Sequence, residues 1–591
     1  MGDTIITIFN ERAAELGDAP ALRTKTGDGK WSVRTWADYS REVRSVASWL
    51  ADAGVGPGVG VAVLSGNRAE YHVADLAAIA TGAVAVPIYH SNSPEQVRFV
   101  LEHSDASVVF VENAAQAAKV AEIRKDLPDL ETVITFTDGE ADHTYEDVVA
   151  RGREIDEADP AAYEKLCARA ESASAACYIY TSGTTGPPKG AIITHANVLW
   201  TGDSLSRVVP MESPRFISFL PLAHIAERMV SHYAQIFFKG ETWFGGGIDT
   251  LRDDLAAVRP TTFFAVPRVY EKFEAAIRDR FDGLEGIQGK LARSALETGT
   301  RVVEARVDGR TPGLLDRVKH RVLDRLVSAK LRHQVGFDQV DAIISGAAPI
   351  TIETLVFFHA LGLPIAEVYG QTEDCGPTSL NPPGRIKIGT VGPPIPGEEV
   401  RIADDGEILV RGGNVFAGYF KNPEATAETL VDGWLYTGDL GEIDDDGYLR
   451  IVGRKKDLII TAGGKNVSPQ NLESSLKAHP LVSQAVVIGD RRKFLSALVT
   501  LDAEAVAAWA DKEGLSTTDP AALAKDPKVL SEIEALVDEV SASVSKTEGI
   551  KKFTVLPEDF TQEAGEVTPT LKVRRHRVEE NYSDAIEAMY K

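Results

Sequence analysis

VGVAVLSGNRAEYHVADLAAIATGAVAVPIY, residues 59–89, opens and closes on continuous apolar runs, VGVAVLS (59–65) and AVAVPIY (83–89). Between them RAEYHVADLAAIAT (68–81) carries its apolar residues at helical spacing. A strand without polar alternation is buried on both faces, and two such strands joined by a helix lie parallel in a sheet covered on both sides. The same alternation continues outward. REVRSVASWLADAGV (41–55) reads as a helix stopping at Gly54, PEQVRFVLEHSD (94–105) as a helix and ASVVFVE (106–112) as a strand. Farther on, DAIISGAAPI (341–350) and LPIAEVYGQTE (363–373) read as strands running into small-residue loops, where α/β proteins place ligands. The most apolar part, 76–89, is too short to span a bilayer and is broken by Gly82 and Pro87.

The expected class is α/β, in more than one domain, because 591 residues exceed what one core serves. Between 384 and 453 the character changes. Short strands such as EILVRGG and YLRIVGR are separated by Gly, Pro and Asp turns, the mark of a small β-rich subdomain. DDDG (444–447) lacks the ligand spacing and closing Glu of a calcium loop and reads as a turn. After the charged stretch GRKKDLI (453–459) the helix–strand pattern restarts with NLESSLKAHPLVSQAVVIG (471–489), and a helical insertion is expected around 529–546. The boundary is placed in that charged stretch, with an N-terminal domain over 1–453 and a C-terminal domain over 459–591.

Composition narrows the function classes. Apolar residues at 44% and charged residues at 25% are ordinary for a globular protein. A net charge of −24 and a pI near 5.0 argue against a nucleic-acid partner. The three cysteines, Cys167, Cys177 and Cys375, show neither metal-like nor paired spacing, which fits a reducing compartment. MGDTIITIFNERAAEL at the start lacks the basic-then-apolar pattern of an export signal, and Ile6 stands where a myristoylation motif needs Ser or Thr. A cytoplasmic location is the expectation; oligomeric state stays open.

YTSGTTGPPKG (180–190) is too rich in glycine and hydroxyls to build core. Glycine lets backbone N–H groups converge in one concavity that binds phosphate, hydroxyls add donors, and Lys189 adds positive charge. It is not a Walker A loop, because Pro188 precedes the lysine and Gly190 follows it. The alternative is a flexible surface loop.

That string strongly resembles the signature loop of the adenylate-forming enzymes, the superfamily of acyl-CoA synthetases, luciferases and peptide-synthetase adenylation domains. Further segments resembling its signatures follow in order over nearly the whole chain. The resemblance implies that Thr181, Ser182, Gly183, Thr184, Thr185, Gly186 and Lys189 bind ATP phosphates. SGAAP (345–349), with Gly346, Ala347 and Ala348, would line the adenine pocket. Around YGQTE (369–373), Glu367, Tyr369, Gly370 and Gln371 would belong to the nucleotide site, Thr372 would contact the α-phosphate, and Glu373 with Thr184 would carry Mg2+. In YTGDLGEIDDDGYLRIVGRKKDLI (436–459), Asp439 would accept the ribose hydroxyls and Arg454 would sit nearby. A hinge is implied at Lys456, within 454–458, and Gly463 and Gly464 of TAGGKNVSP (461–469) would line a pantetheine tunnel for coenzyme A. TPTLKVRRH (568–576) puts Lys572 at the place of the adenylation lysine. The implied fold is a large N-terminal domain of layered α/β subdomains plus the β-rich one, hinged to a small mobile α+β C-terminal domain that rotates between half-reactions.

The implied chemistry is activation of a carboxylate by ATP to an acyl-adenylate, then transfer to a thiol. Leu571 before the lysine, SFLPLAHIAERM (218–229) and RPTTFFAVPRVYEKF (259–273) look like the long-chain fatty acid–CoA ligase branch, with fatty acid, ATP and coenzyme A as substrates. His224 would lie beside the acyl and phosphate site; the plain alternative is a histidine satisfied in the core. Some members of that branch carry a gating tryptophan where this chain has Arg228, and Trp243 is not assigned that role. Two other functions remain open: an acyl-AMP ligase loading a carrier-protein phosphopantetheine, and a non-catalytic lipid- or nucleotide-binding scaffold.

Residues 278–334 hold thirteen Lys and Arg against eight Asp and Glu, a local excess of positive charge in an acidic chain. Along LLDRVKHRVLDRLVSAKL (314–331), Leu314, Val318, Val322 and Leu326 share one face and Arg317, Arg321 and Arg325 another. Two readings stand: an amphipathic surface helix with snorkelling arginines, or peripheral docking on an anionic membrane.

Overall fold

The computed structural model describes residues 3–181, 187–209, 211–462, 466–542, 544–546, 548–568 and 572–591. At its centre is a seven-stranded sheet, ordered His143–Thr144, Thr132–Thr135, Ala106–Val111, Gly60–Leu64, Val84–Ile88, Ala175–Thr181, Lys189–Thr194. All neighbours are parallel except the last pair. Gly60–Leu64 pairs directly with Val84–Ile88, and the helix Ala69–Ala80 crosses between them, as residues 59–89 predict. Val61 and Val63 pack into one core cluster while Ala62 and Leu64 pack into another, so both sheet faces are covered.

Two four-stranded sheets flank it. One is ordered Arg215–Ser218, Glu241–Phe244, Pro20–Lys25, Trp31–Thr35; the other Thr262–Ala265, Ala342–Ser345, Ile365–Tyr369, Ser379–Leu380. A third, antiparallel sheet contains Glu399–Ile402, Glu407–Arg411, Trp434–Ile443 and Leu449–Arg454. It is moored to the central sheet where Ile192 N–H donates to Gly418 O (2.9 Å) and Ala417 N–H to Ile192 O (3.1 Å). Asn197, in the first turn of a helix capped by Thr194, adds donation to the carbonyls of Gly413 (2.8 Å) and Val415 (2.9 Å). The C-terminal strands Val482–Ile488, Leu495–Leu501 and Ile550–Val555 have their own core, joined by the helix Pro527–Ala542 at the expected insertion. Arg268 reaches Asp502 of this region at 2.6 Å. Among the described residues no helix is long and apolar enough to cross a membrane.

The segment after His224 runs Ile225–Glu227, then a wide π turn, Arg228–Tyr233, then Ala234–Phe238. Arg228 is fully buried, its Nη2 2.7 Å from both carboxylate oxygens of Asp75 and 2.7 Å from the Tyr233 hydroxyl. Asp75 also meets His232 Nε2 at 3.1 Å. Glu227 is buried with no cation beside it among the described residues, accepting from the Ser218 hydroxyl at 2.7 Å, and burial pushes its carboxyl up to about 8.

A carboxyl whose folded pKa lies above its unfolded value keeps its proton in the native state. Its stabilising contribution is complete below the unfolded pKa, near 4.3, and is lost as pH rises toward 8. Glu227→Gln, neutral at every pH, should match the parent in urea unfolding at pH 4 and exceed it by about 1 kcal/mol or more at pH 8. Parallel stability curves would show that Glu227 is not held as the acid.

Candidate active site

Strand ends build the polar part of the site. Thr181 ends one strand of the hairpin and faces Lys189 at the start of the next. Ser182, Gly183, Thr184, Thr185 and Gly186 lie between them, outside the described residues. The Lys189 ammonium sits 4.9 Å over the ring of Tyr419, whose hydroxyl donates to Glu373 Oε1 at 2.7 Å. Tyr419 thus links the Gly-rich hairpin to the loop after Ile365–Tyr369. No sequence motif marks it. It arrives because residues 417–420 hydrogen-bond to Gly190 and Ile192.

The loop 370–376 is tightly folded. A Cβ at Gly370 would lie 1.7 Å from the carbonyl oxygen of Gly376, so only glycine fits. Asp374, fully buried, accepts from Gln371 N–H at 2.8 Å and from the Thr378 hydroxyl, fixing the turn that presents Thr372 and Glu373. Burial raises the Asp374 carboxyl pKa. One strand over, Gly346–Ala348 follow Ala342–Ser345, with Ala347 in left-handed backbone (φ 67°). Ala347, Ala348, Glu367, Tyr369, Gly370, Gln371, Thr372 and Glu373 line a common cavity. Burial pushes Glu367 up to about 8, and its Oε2 has no partner, so it presents an acid rather than a carboxylate at neutral pH.

Asp439 is held from two sides. The Tyr369 hydroxyl donates to its Oδ2 at 2.8 Å and Arg454 Nε to its Oδ1 at 2.9 Å, across the strand register that sets Asp439 opposite Arg454. Lys572 enters the same cavity from the C-terminal region. Its backbone N–H donates to Thr568 Oγ1 at 3.1 Å and its carbonyl accepts from Thr568 N–H at 2.9 Å. Residues 569–571, including Leu571, lie outside the described residues. Solvent reaches Lys572 through the open cavity, but protein encloses it. Burial first, then Arg454, lowers its pKa, while Asp439 and Glu373 oppose that shift.

His224 also lines the cavity. Its Nδ1 accepts from Ala226 N–H at 3.2 Å, and burial, helped by Lys572, lowers its pKa to about 3, so the ring is neutral. Beyond it the walls turn apolar with Phe216, Met229, Val230, Ala234 and Phe264, in a cavity of about 2160 Å³ that continues to Val307 and Ile352. Arg228 is absent from that wall: the π turn directs it to Asp75 and leaves Met229 and Val230 facing the cavity. Trp243 packs elsewhere, against Arg23 and Trp31. Lys456 is exposed in the turn Lys455–Asp457, where its neighbour Lys455 bridges Asp405 (2.7 Å) and Glu407 (2.8 Å). Gly463 and Gly464 lie outside the described residues. Among the described residues no group of three or more His, Cys, Asp or Glu forms a metal cage. The arrangement gathers Lys572 and Arg454 with two carboxylates in a cavity that also has apolar walls, which suits a ligand with an anionic part and an apolar part.

Comparison with known proteins matches this geometry. Residues 9–420 match the family described as AMP-binding enzyme, and residues 456–591 match the AMP-binding enzyme C-terminal domain. The chain is 42% identical over 570 residues to the long-chain-fatty-acid–CoA ligase FadD15 of Mycobacterium bovis, covering 95% of this chain and 93% of that relative. It is 33% identical over 625 residues to the long-chain-fatty-acid–CoA ligase ACSBG2 of Xenopus laevis, covering 99% and 84%. In fold it resembles the anthranilate CoA ligase AuaEII in complex with anthranoyl-AMP, with a TM-score of 0.74 at 20% identity, covering 99% and 98%.

Proposed function

This chain belongs to the AMP-binding enzyme family, and we propose that it is a long-chain fatty acid–CoA ligase working through an acyl-adenylate. One observation carries the reading: Lys572 of the C-terminal region shares one cavity with Asp439, Arg454 and Glu373, and apolar side chains line the same cavity.

A carboxylate acylates poorly because oxide is a poor leaving group. Attack of its oxygen on the α-phosphorus of ATP forms an acyl–AMP bond and expels pyrophosphate. The coenzyme A thiolate then attacks the acyl carbonyl, forms the thioester and expels AMP. The first step brings two anions together, and preorganised positive charge in a dry site is what lowers its barrier. Lys572 supplies a cation to the reacting phosphate and carboxylate, and Lys189 supplies one from the Gly-rich hairpin. Asp439, oriented by Tyr369 and Arg454, accepts the ribose hydroxyls. Neutral His224 borders the carboxylate without adding charge. Glu373 uses Oε1 for Tyr419, and among the described residues its Oε2 makes no hydrogen bond, so this carboxylate, with Thr184, would hold Mg2+. When bound, the ion neutralises phosphate charge.

Lys572 stands where the thiol arm must enter, so the second step requires the C-terminal region to turn at Lys456 and bring Gly463–Gly464 forward. The domain limits 1–453, 454–458 and 459–591 belong to this proposal. So does a cytoplasmic location with peripheral association at an anionic membrane through residues 278–334.

Lys572→Ala should lower ATP–pyrophosphate exchange at least 100-fold while sparing thioester formation from supplied acyl-AMP; equal loss of both steps would contradict the assigned role. Lys456→Pro should do the reverse, with pyrophosphate exchange intact and thioester formation at least ten-fold slower. Pyrophosphate release measured from acetate to stearate, with and without coenzyme A, should peak at long chains and turn over only with the thiol. A stoichiometric burst indifferent to coenzyme A would transfer the reading to a carrier-protein acceptor.

A further inference from the structure

The helical run from Leu314 to Val335 packs on the preceding helix, Gly286–Val307, with Arg301 meeting Asp316 at 3.0 Å. It buries Leu323, Ser328 and Leu331. The apolar face visible in the sequence is not the buried one. Leu314, Val318, Val322 and Leu326 are 72, 56, 51 and 50% exposed, and Leu315 beside them is 87% exposed. Arg317, Arg321 and Arg325 run along the edge of this stripe, exposed, and none pairs with a carboxylate among the described residues. The run is a surface helix whose apolar stripe faces outward, and the core takes the opposite side.

A second observation gives the stripe a purpose. Val307 and Ile352 line the cavity and are also 43 and 48% exposed, so the cavity reaches the surface beside them. Val307 ends the helix on which the stripe is mounted, and only residues 308–313 separate it from Leu314.

We propose that the outward face of Leu314–Leu326 inserts into an anionic phospholipid bilayer and sets the mouth at Val307 and Ile352 against it. A fatty acid then passes from the lipid phase into the cavity without its chain crossing water. This rests on the fatty acid reading of the site. The chemistry fits one occupant: apolar side chains for the acyl boundary, and unpaired arginines at their edge for lipid phosphates. A second copy of the chain docking face to face would set the same arginine rows against each other. The net charge of −24 repels an anionic surface elsewhere, so the local positive excess also orients the approach.

The test uses the full chain, vesicles of phosphatidylcholine with and without 30% phosphatidylglycerol, and two variants. One is Leu314→Ser/Leu315→Ser/Val318→Ser/Val322→Ser; the other is Arg317→Glu/Arg321→Glu/Arg325→Glu. The parent should sediment with the anionic vesicles, and each variant at least ten-fold less. With palmitate carried in those vesicles, pyrophosphate release should fall at least five-fold in both variants, while the rate on dodecanoate dissolved in buffer stays within two-fold. A parent that ignores anionic vesicles, variants that sediment like the parent, or equal loss on both substrates would overturn the proposal. So would variants that only shift a dimer to a monomer in gel filtration. If the parent binds vesicles yet activates neither acid, the fatty acid reading fails and the lipid-docking face stands.

Discussion

Asp439 holds one negative charge at the meeting point of three chain segments. Tyr369 comes from a parallel strand, Arg454 from the last strand of the antiparallel sheet, and Lys572 from the far end of the chain. A carboxylate this enclosed has to be hydrogen-bonded and paired, so its neighbours are not free to wander. The Tyr369 bond ties the antiparallel sheet to the sheet beneath the nucleotide loops. Lys572 is a cation placed near another cation, Arg454, and its entry is made tolerable by Asp439 and Glu373 together. The site therefore favours Lys572 inside when anionic charge is present. It has less hold on the lysine once charge departs with pyrophosphate, the electrostatic condition that the proposed turn at Lys456 would use.

The apolar chamber depends on a different buried charge. Arg228 and Asp75 form a fully enclosed pair joined by Tyr233 and His232. Such pairs are costly to desolvate and worse to break, because removing one partner strands the other. Asp75 sits on the helix Ala69–Ala80, the crossover of the central sheet, so the wall carrying Met229 and Val230 is fastened to the innermost element of the fold. A wall fixed this way does not swing at Arg228. On that wall Met229, unbranched and flexible by type, packs 3.9 Å from the Cys375 sulfur at the base of the 370–376 loop.

Much of the fold was legible because its signal is local. The unbroken apolar runs at 60–64 and 84–88 leave little choice but a doubly covered parallel sheet, and the turn at 444–447 follows from Asp444 accepting the backbone N–H groups of Asp446 and Tyr448. The polar site was legible wherever chemistry demands ordered residue types close in sequence, as in YGQTE. Tyr419, Asp374 and the true direction of Arg228 were not. Each acts through a partner brought near by tertiary packing: Tyr419 by strand pairing at Gly190, Arg228 by a π turn that shifts its azimuth. The helix at 314–331 was legible as a surface helix, but what covers its apolar face was not, for a related reason. Periodicity locates an apolar face but does not say whether protein or something else covers it.

Joining the two halves of the cavity has a consequence for selectivity. At the polar end every group is tied down: Asp439 by two donors, Glu373 by Tyr419, the 370–376 loop by Asp374. The apolar lining of the cavity reaches the surface at Val307 and Ile352. A ligand pinned at its carboxylate and unconfined at its tail is selected strictly by headgroup. Its chain length is graded by how many methylenes the wall covers, each worth about 0.8 kcal/mol when taken from water. That gain ends once the tail reaches the mouth. Beyond this length the tail must be received by an apolar phase outside the protein, or added carbons contribute nothing to binding, and the exposed stripe from Leu314 to Leu326 lies beside that mouth.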